Sequence, residues 1–137
     1  MRANEHRMRF PPTLAALADA AEDLRGWLAA EQVNGRSRYN VELAFEEVVA
    51  NIVRHGAPTD DVEVAIRFDA DEIVMTFEDD GIPFDPRGTS DPVMPASIEE
   101  AEVGGLGLVL LRTILSRIAY QRTPQQRNLL TLAIQAR

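Results

Sequence analysis

Apolar and polar positions change their period several times along the chain, and each change marks an element. In "RMRFP" (7–11), Met8 and Phe10 alternate with arginines, which predicts a short strand stopped by Pro11 and Pro12. Thr13 stands where a helix N-cap belongs, and Leu14, Leu17, Ala21, Leu24 and Leu28 then recur at helical spacing. "NGRS" interrupts. A second helix is predicted over about 38–55, with Val41, Ala44, Phe45, Val48 and Ile52 as its apolar stripe. Gly56 is expected to cap it and Pro58 to bar its continuation. "VEVAIRF" (62–68) alternates strictly, "DADE" turns the chain, and "IVMTFE" (73–78) follows, so the two runs predict a hairpin. Residues 80–104 carry Gly81, Pro83, Pro86, Gly88, Pro92, Pro95 and Gly104 and predict a long loop, with one helical turn at most, at "SIEEAE". Loops of that length inside a compact domain usually serve function. "GLVLLRTILSRI" (107–118) predicts a further helix, and "AYQR" and "NLLTLAIQA" a last hairpin across "TPQQR".

The order β-α-α-β-β-loop-α-β-β keeps strands with strands and helices with helices. It predicts an α/β (α+β) two-layer sandwich: a mostly antiparallel sheet with the helices on one face. At 137 residues, a single domain spanning 1–137 is expected, long enough to bury a core.

Charge narrows the function classes. The net charge is −8, so a phosphate backbone is repelled and direct nucleic-acid binding is not expected as a main role. A basic protein partner, or a nucleotide held with a divalent cation, stays open. No apolar run approaches the roughly 20 residues of a membrane span, and "MRANEHRMRF" has no apolar signal region, so no membrane association is expected. The chain has no cysteine, which removes disulfides and thiolate chemistry and fits a cytoplasmic protein.

Three stretches carry candidate chemistry. In "EEVVANIVRHG", Glu47 and Asn51 lie one helical turn apart on one face, which also carries His55. A carboxamide oxygen there can coordinate a hard cation while the carboxylate orients or deprotonates a nucleophile. In "FEDDGIPFDP", Asp79 ends a strand and Gly81 lets a ligand ring approach the backbone. A buried carboxylate needs a partner, and an exocyclic amine such as that of adenine supplies one. In "GGLGLVLL", glycines open a helix, so that successive N–H groups face an anion at its positive end. No G-K-[ST] follows it and no strand immediately precedes it, so it is neither a Walker A loop nor a dinucleotide fingerprint.

Taken in order, these stretches resemble the N, G1 and G2 boxes of the GHKL ATPase superfamily, over about residues 8–135. Within it, "ELAFEEVVANIVRHG", "FEDDGIPFDP" and "GGLGLVLLRTILSRIAYQR" are most similar to the small RsbW-like anti-sigma-factor serine kinases. The resemblance implies a Bergerat-type ATP-binding fold with ATP and Mg2+ as cofactors. It implies Glu47 as general base toward a serine hydroxyl and Asn51 as the magnesium ligand. Asp79 would accept from the adenine amino group, with Gly81 giving the ring room and Asp80 an exposed turn residue. Gly104, Gly105, Leu106 and Gly107 would hold phosphates, and His55 would support the end of the N-box helix at the nucleotide site. Residues 86–104 would form the ATP lid, with Asp85 and Pro86 at its mouth. Arg87, Arg54 or Arg112 would reach the γ-phosphate.

The implied output is partner switching: the kinase inhibits a sigma factor, or phosphorylates a STAS-domain anti-sigma-factor antagonist on serine, and the group tends toward homodimers. Autophosphorylation on histidine is disfavoured, since the chain has two histidines, one in the N-terminal tail and one inside the N box. The alternative readings are a non-catalytic nucleotide-binding or protein-binding regulatory module of the same fold, and a small α/β protein without a nucleotide site. An intact Glu47 and Asn51 favour the kinase, because a binding module would not require the base.

Overall fold

The computed structural model describes residues 5–83 and 113–136. Its elements are β1 (Glu5–Phe10), α1 (Leu14–Ala30), α2 (Gly35–Asn51) with a π-helical turn (Ile52–Gly56), β2 (Val62–Asp69), β3 (Glu72–Asp79), β4 (Leu115–Arg122) and β5 (Asn128–Gln135). The five strands form one sheet in the order β1-β2-β3-β5-β4, and every neighbouring pair is antiparallel. One face of the sheet carries Met8, Phe10, Val64, Ile66, Met75, Phe77, Leu130 and Leu132, which form a single core with the buried stripes of α1 and α2. Phe45 of α2, fully buried, packs its ring against Phe10 of β1 and Phe77 of β3 and so ties helix to sheet. This is the expected two-layer α+β architecture.

Local departures have local causes. Thr13 caps α1 as expected, its hydroxyl accepting from Ala16 N–H at 3.0 Å. Leu14, however, is 49% exposed, and the inward positions belong to Ala20, Ala21, Leu24 and Leu28. α2 begins three residues before the expected 38, because Asn34 is its N-cap and accepts from Ser37 N–H at 2.8 Å. Asn34 also donates to Ala136 O, and the Ser37 hydroxyl to Gln135 O, which pins the start of α2 to the end of β5. At the other end the α-helix gives way to the π turn, and the left-handed residue is Ala57, with φ 49°, rather than Gly56. An alanine there costs about 1–2 kcal/mol, so the position of Gly56 must be needed for something else.

The expected helix 107–118 is corrected at its C-terminal part. Leu115 already pairs with Ile134, and β4 runs on to Arg122. "ILSRI" fits a helical stripe, but its Ile and Leu serve a strand equally well, and pairing with β5 decides. The register shifts between Leu115 and Arg117, and the Ser116 hydroxyl sits at that bulge, bonded to Glu72 at 2.6 Å and to Ala133 O at 3.1 Å. The expected lid (86–104), Asp85, Arg87, the phosphate cradle Gly104, Gly105, Leu106 and Gly107, and Arg112 lie outside the described residues.

Candidate functional site

β3 delivers Asp79 to the end of the central strand, where it is buried at 4% exposure. Gly81 N–H donates to its Oδ1 at 2.7 Å, and Asn128 Nδ2 donates to the same oxygen at 3.2 Å. Asp79 and Asn128 face each other across the β3–β5 ladder, so the sheet register itself brings them together. Oδ2 accepts no hydrogen bond among the described residues. Among the described residues this buried carboxylate therefore has one oxygen held and one without a partner, and a buried carboxylate oxygen calls for a donor.

The rest of "DDGI" fastens this strand end to the end of α2. Ile82 N–H donates to Gly56 O at 2.8 Å. Gly81 packs so closely on Gly56 that a Cβ would stand 2.9 Å from the Gly56 carbonyl carbon and nearer still to its oxygen. The missing Cβ of Gly81 thus makes room for the Gly56 carbonyl, a reason for glycine here beside the expected room for a ligand ring. It also explains the displaced cap: Gly56 lies against Gly81, and the left-handed turn falls to Ala57. Asp80 is likewise more than an exposed turn residue. Its Oδ1 accepts from Thr59 N–H at 2.9 Å and Asp60 N–H at 3.0 Å, and its Oδ2 from the Thr59 hydroxyl. These donors pull its carboxyl down to about 2, the Thr59 hydroxyl contributing most.

α2, which leads into the π turn whose Gly56 meets Ile82, carries Glu47 and Asn51. They lie one turn apart, both half-buried, and neither side chain makes a hydrogen bond among the described residues. The π turn starts directly after Asn51, and such turns frequently interrupt helices at functional sites. His55 lies in that turn, exposed, with no side-chain hydrogen bond to the helix end among the described residues. Among the described residues no three His, Asp or Glu side chains gather to hold a metal. Asn51 thus fits Mg2+ only in the way that ion prefers, with one or two protein ligands and the rest from phosphate oxygens and water.

Three residues of this site were missed by the sequence reading: Asn128, Tyr120 and Arg122. Tyr120 OH and Arg122 Nη1 donate to Asn128 Oδ1 at 2.5 and 3.0 Å, and Arg122 Nη1 also donates to Gly81 O at 2.8 Å. They lie on the final hairpin, where alternation reads as plain strand. Only the pairing of Asp79 with Asn128 reveals them.

A family model described as the histidine kinase-like ATPase domain matches residues 10–134. The chain belongs to this family. The histidine kinase-like ATPase domain is similar to the serine/threonine-protein kinase BtrW of Bordetella bronchiseptica, with 29% identity over 117 residues, 80% of this chain and 82% of BtrW. Its fold is similar to the RsbU and RsbW domains of Rv1364c from Mycobacterium tuberculosis (TM-score 0.69, 19% identity, 96% of this chain), although it spans only 32% of that chain. It is also similar to the SiaB-SiaC complex from Pseudomonas aeruginosa (TM-score 0.68, 20% identity), covering 94% of this chain and 88% of that one. Among the described residues no helix is long and apolar enough to cross a membrane.

Proposed function

We propose that this chain binds ATP with Mg2+ and phosphorylates a protein serine, as an anti-sigma-factor-type kinase acting in partner switching. The observation that carries the reading is Asp79: a buried carboxylate with one oxygen bonded and one without a hydrogen bond among the described residues, clamped through Ile82 and Gly56 to the end of the helix that bears Glu47 and Asn51. That second oxygen accepts the adenine amino group. Asn51 offers its carboxamide oxygen to the cation, and Glu47, one turn earlier, faces the same side as a base for the serine hydroxyl. Held at Asn51, Mg2+ would supply positive charge to offset that of the phosphates. Phosphoryl transfer asks the protein for position and electrostatics more than for covalent steps, and a rigid base pocket beside two uncommitted polar side chains suits that demand.

The kinase name of BtrW supports phosphotransfer as the output, and the solution of SiaB as a complex with SiaC supports a protein partner for this fold. The partner class proposed is a STAS-domain antagonist, a sigma factor, or both. The phosphate cradle is assigned to Gly104, Gly105, Leu106 and Gly107.

Calorimetric titration of ATP with and without magnesium, on the wild type and on Asp79→Asn, tests the base pocket. The wild type is expected to bind and the folded variant to fail. Transfer of labelled phosphate to a STAS-domain serine, lost in Glu47→Ala while ATP still binds, tests the kinase. Binding with no transfer to any such partner would leave a nucleotide-binding regulatory module instead.

A further inference from the structure

We infer that Tyr39 and Arg36, on the first turns of α2, dock the protein that presents the acceptor serine, meeting on it an apolar spot and an acidic side chain. This rests on the kinase reading above. On that reading the parts of the reaction follow one another along α2. Asp79, which would receive the adenine, meets the end of the helix through Ile82 N–H and Gly56 O. Asn51 stands just before the π turn, and Glu47 one turn earlier. In phosphoryl transfer the attacking oxygen lies opposite the leaving oxygen. The serine therefore comes to Glu47 from beyond the phosphates, over the N-terminal half of α2.

Going back along the helix, Glu47, Leu43 and Tyr39 are successive i−4 positions and Arg36 is one turn further, so the four form one stripe. From the helical rise, Tyr39 lies about 12 Å and Arg36 about 16 Å from Glu47 along the axis. A stable protein interface covers about 800 Å² on each partner, a patch about 16 Å in radius. A partner centred on Glu47 thus reaches both. Among the described residues nothing in the fold calls for either side chain. Tyr39 is 67% exposed, more than any other large apolar side chain there, and its hydroxyl makes no hydrogen bond to a described residue. Arg36 is exposed and makes no ion pair with a described residue. It sits in the first turn of α2, which contains no acidic residue, so its charge opposes the helix dipole. Arg38 adds a second positive charge to that turn. The whole chain carries −8, so this helix end is a positive point on an acidic molecule, and it selects an acidic counterpart. Tyrosine and arginine are among the side chains that most often anchor protein interfaces.

The probe is the STAS-domain protein that accepts phosphate from the wild type in the transfer assay above. Initial rates against its concentration, at saturating ATP and magnesium, give KM and kcat. Tyr39→Ala and Arg36→Glu are each expected to raise KM about tenfold and to leave kcat and ATP affinity within about twofold. Arg7→Glu makes the same change of net charge at an exposed position of β1 and is expected to alter none of the three. Loss of a docking contact beside an intact reaction site gives this split, whereas damage to the site lowers kcat. A folded variant that keeps the wild-type KM overturns the inference and leaves the kinase reading standing. A fall in kcat with KM unchanged overturns it too, and so does an equal rise of KM in Arg7→Glu, which would assign the effect to net charge. Each variant is read alone, so if one does not fold the other decides. A wild type that binds ATP but phosphorylates no STAS-domain protein removes the kinase reading and the inference with it.

Discussion

The two ends of the site are built in opposite ways. Around Asp79 nearly every polar group is committed: Gly81, Ile82, Asn128, Arg122 and Tyr120 hold one another through the β3–β5 register, and Asp80 ties the loop to Thr59 and Asp60. Around Glu47 and Asn51, one face of α2 holds two half-buried polar side chains with no hydrogen bonds among the described residues. The first end is organised before anything binds. The second holds polar groups without partners among the described residues, which would suit the hard cation of the proposed function, since such an ion keeps much of its shell in water and phosphate. Under the proposed function, a rigid base pocket would set where the nucleotide sits, and the uncommitted groups would be free to follow the changing charge of the phosphoryl group.

Substitutions break this contrast with graded effects. The largest is expected for Glu47→Gln: serine phosphorylation should fall by about 10²–10⁴-fold, with ATP affinity and melting temperature nearly unchanged, since no hydrogen bond to a described residue is lost. Transfer assays beside calorimetry and thermal melts check this. A marked loss of stability would mean that Glu47 is structural, and the contrast would fail at that end. Gly81→Ala should act on the other end and on both properties at once. Its Cβ has no room against Gly56, so stability should drop by about 1–3 kcal/mol in denaturant melts. ATP affinity should fall with it, because the same contact joins Asp79 to α2. Asn51→Ala should change stability by only about 0.5 kcal/mol or less, yet abolish the gain in ATP affinity that magnesium brings. Equal magnesium dependence in the variant would remove Asn51 as the cation's ligand.

How far the sequence could be read follows the same division. Helix faces and strand alternation were legible because burial follows a period: Val41, Ala44, Phe45 and Val48 repeat as a helix must, and Val62, Val64 and Ile66 as a strand must. The two polar residues of α2 were legible for the same reason, being one turn apart. The committed end was not. Nothing in "QRTPQQRN" says that Asn128 will stand opposite Asp79, because that depends on the pairing of β3 with β5 across 49 positions of chain. The contact of Gly81 with Gly56 was hidden likewise. Glycine advertises space, and only the approach of Gly56 shows this use of it. The end of the helix predicted over 107–118 was misread where period alone cannot separate a short apolar strand from a helix, and Leu115 pairs with Ile134 instead.

The smallest effect sharpens the contrast without ligand. Asp80 is held well below the ordinary aspartate value of 3.8, at about 2, by the Thr59 hydroxyl and by the N–H groups of Asp60 and Thr59. A carboxyl depressed in the folded state stabilises the fold only while ionised. Its contribution is therefore full above about pH 4, declines as the pH falls below 3.8, and is lost as it passes through about 2. Thermal melts of the wild type should lose stability over that window. Asp80→Asn should be less stable at neutral pH, by about 1 kcal/mol for the weakened hydrogen bonds, and should show a shallower acid decline. If the variant's acid limb runs parallel to that of the wild type, Asp80 does not fasten the loop to the α2 end, and the rigidity of the base pocket must come from Asn128 and Gly81 alone.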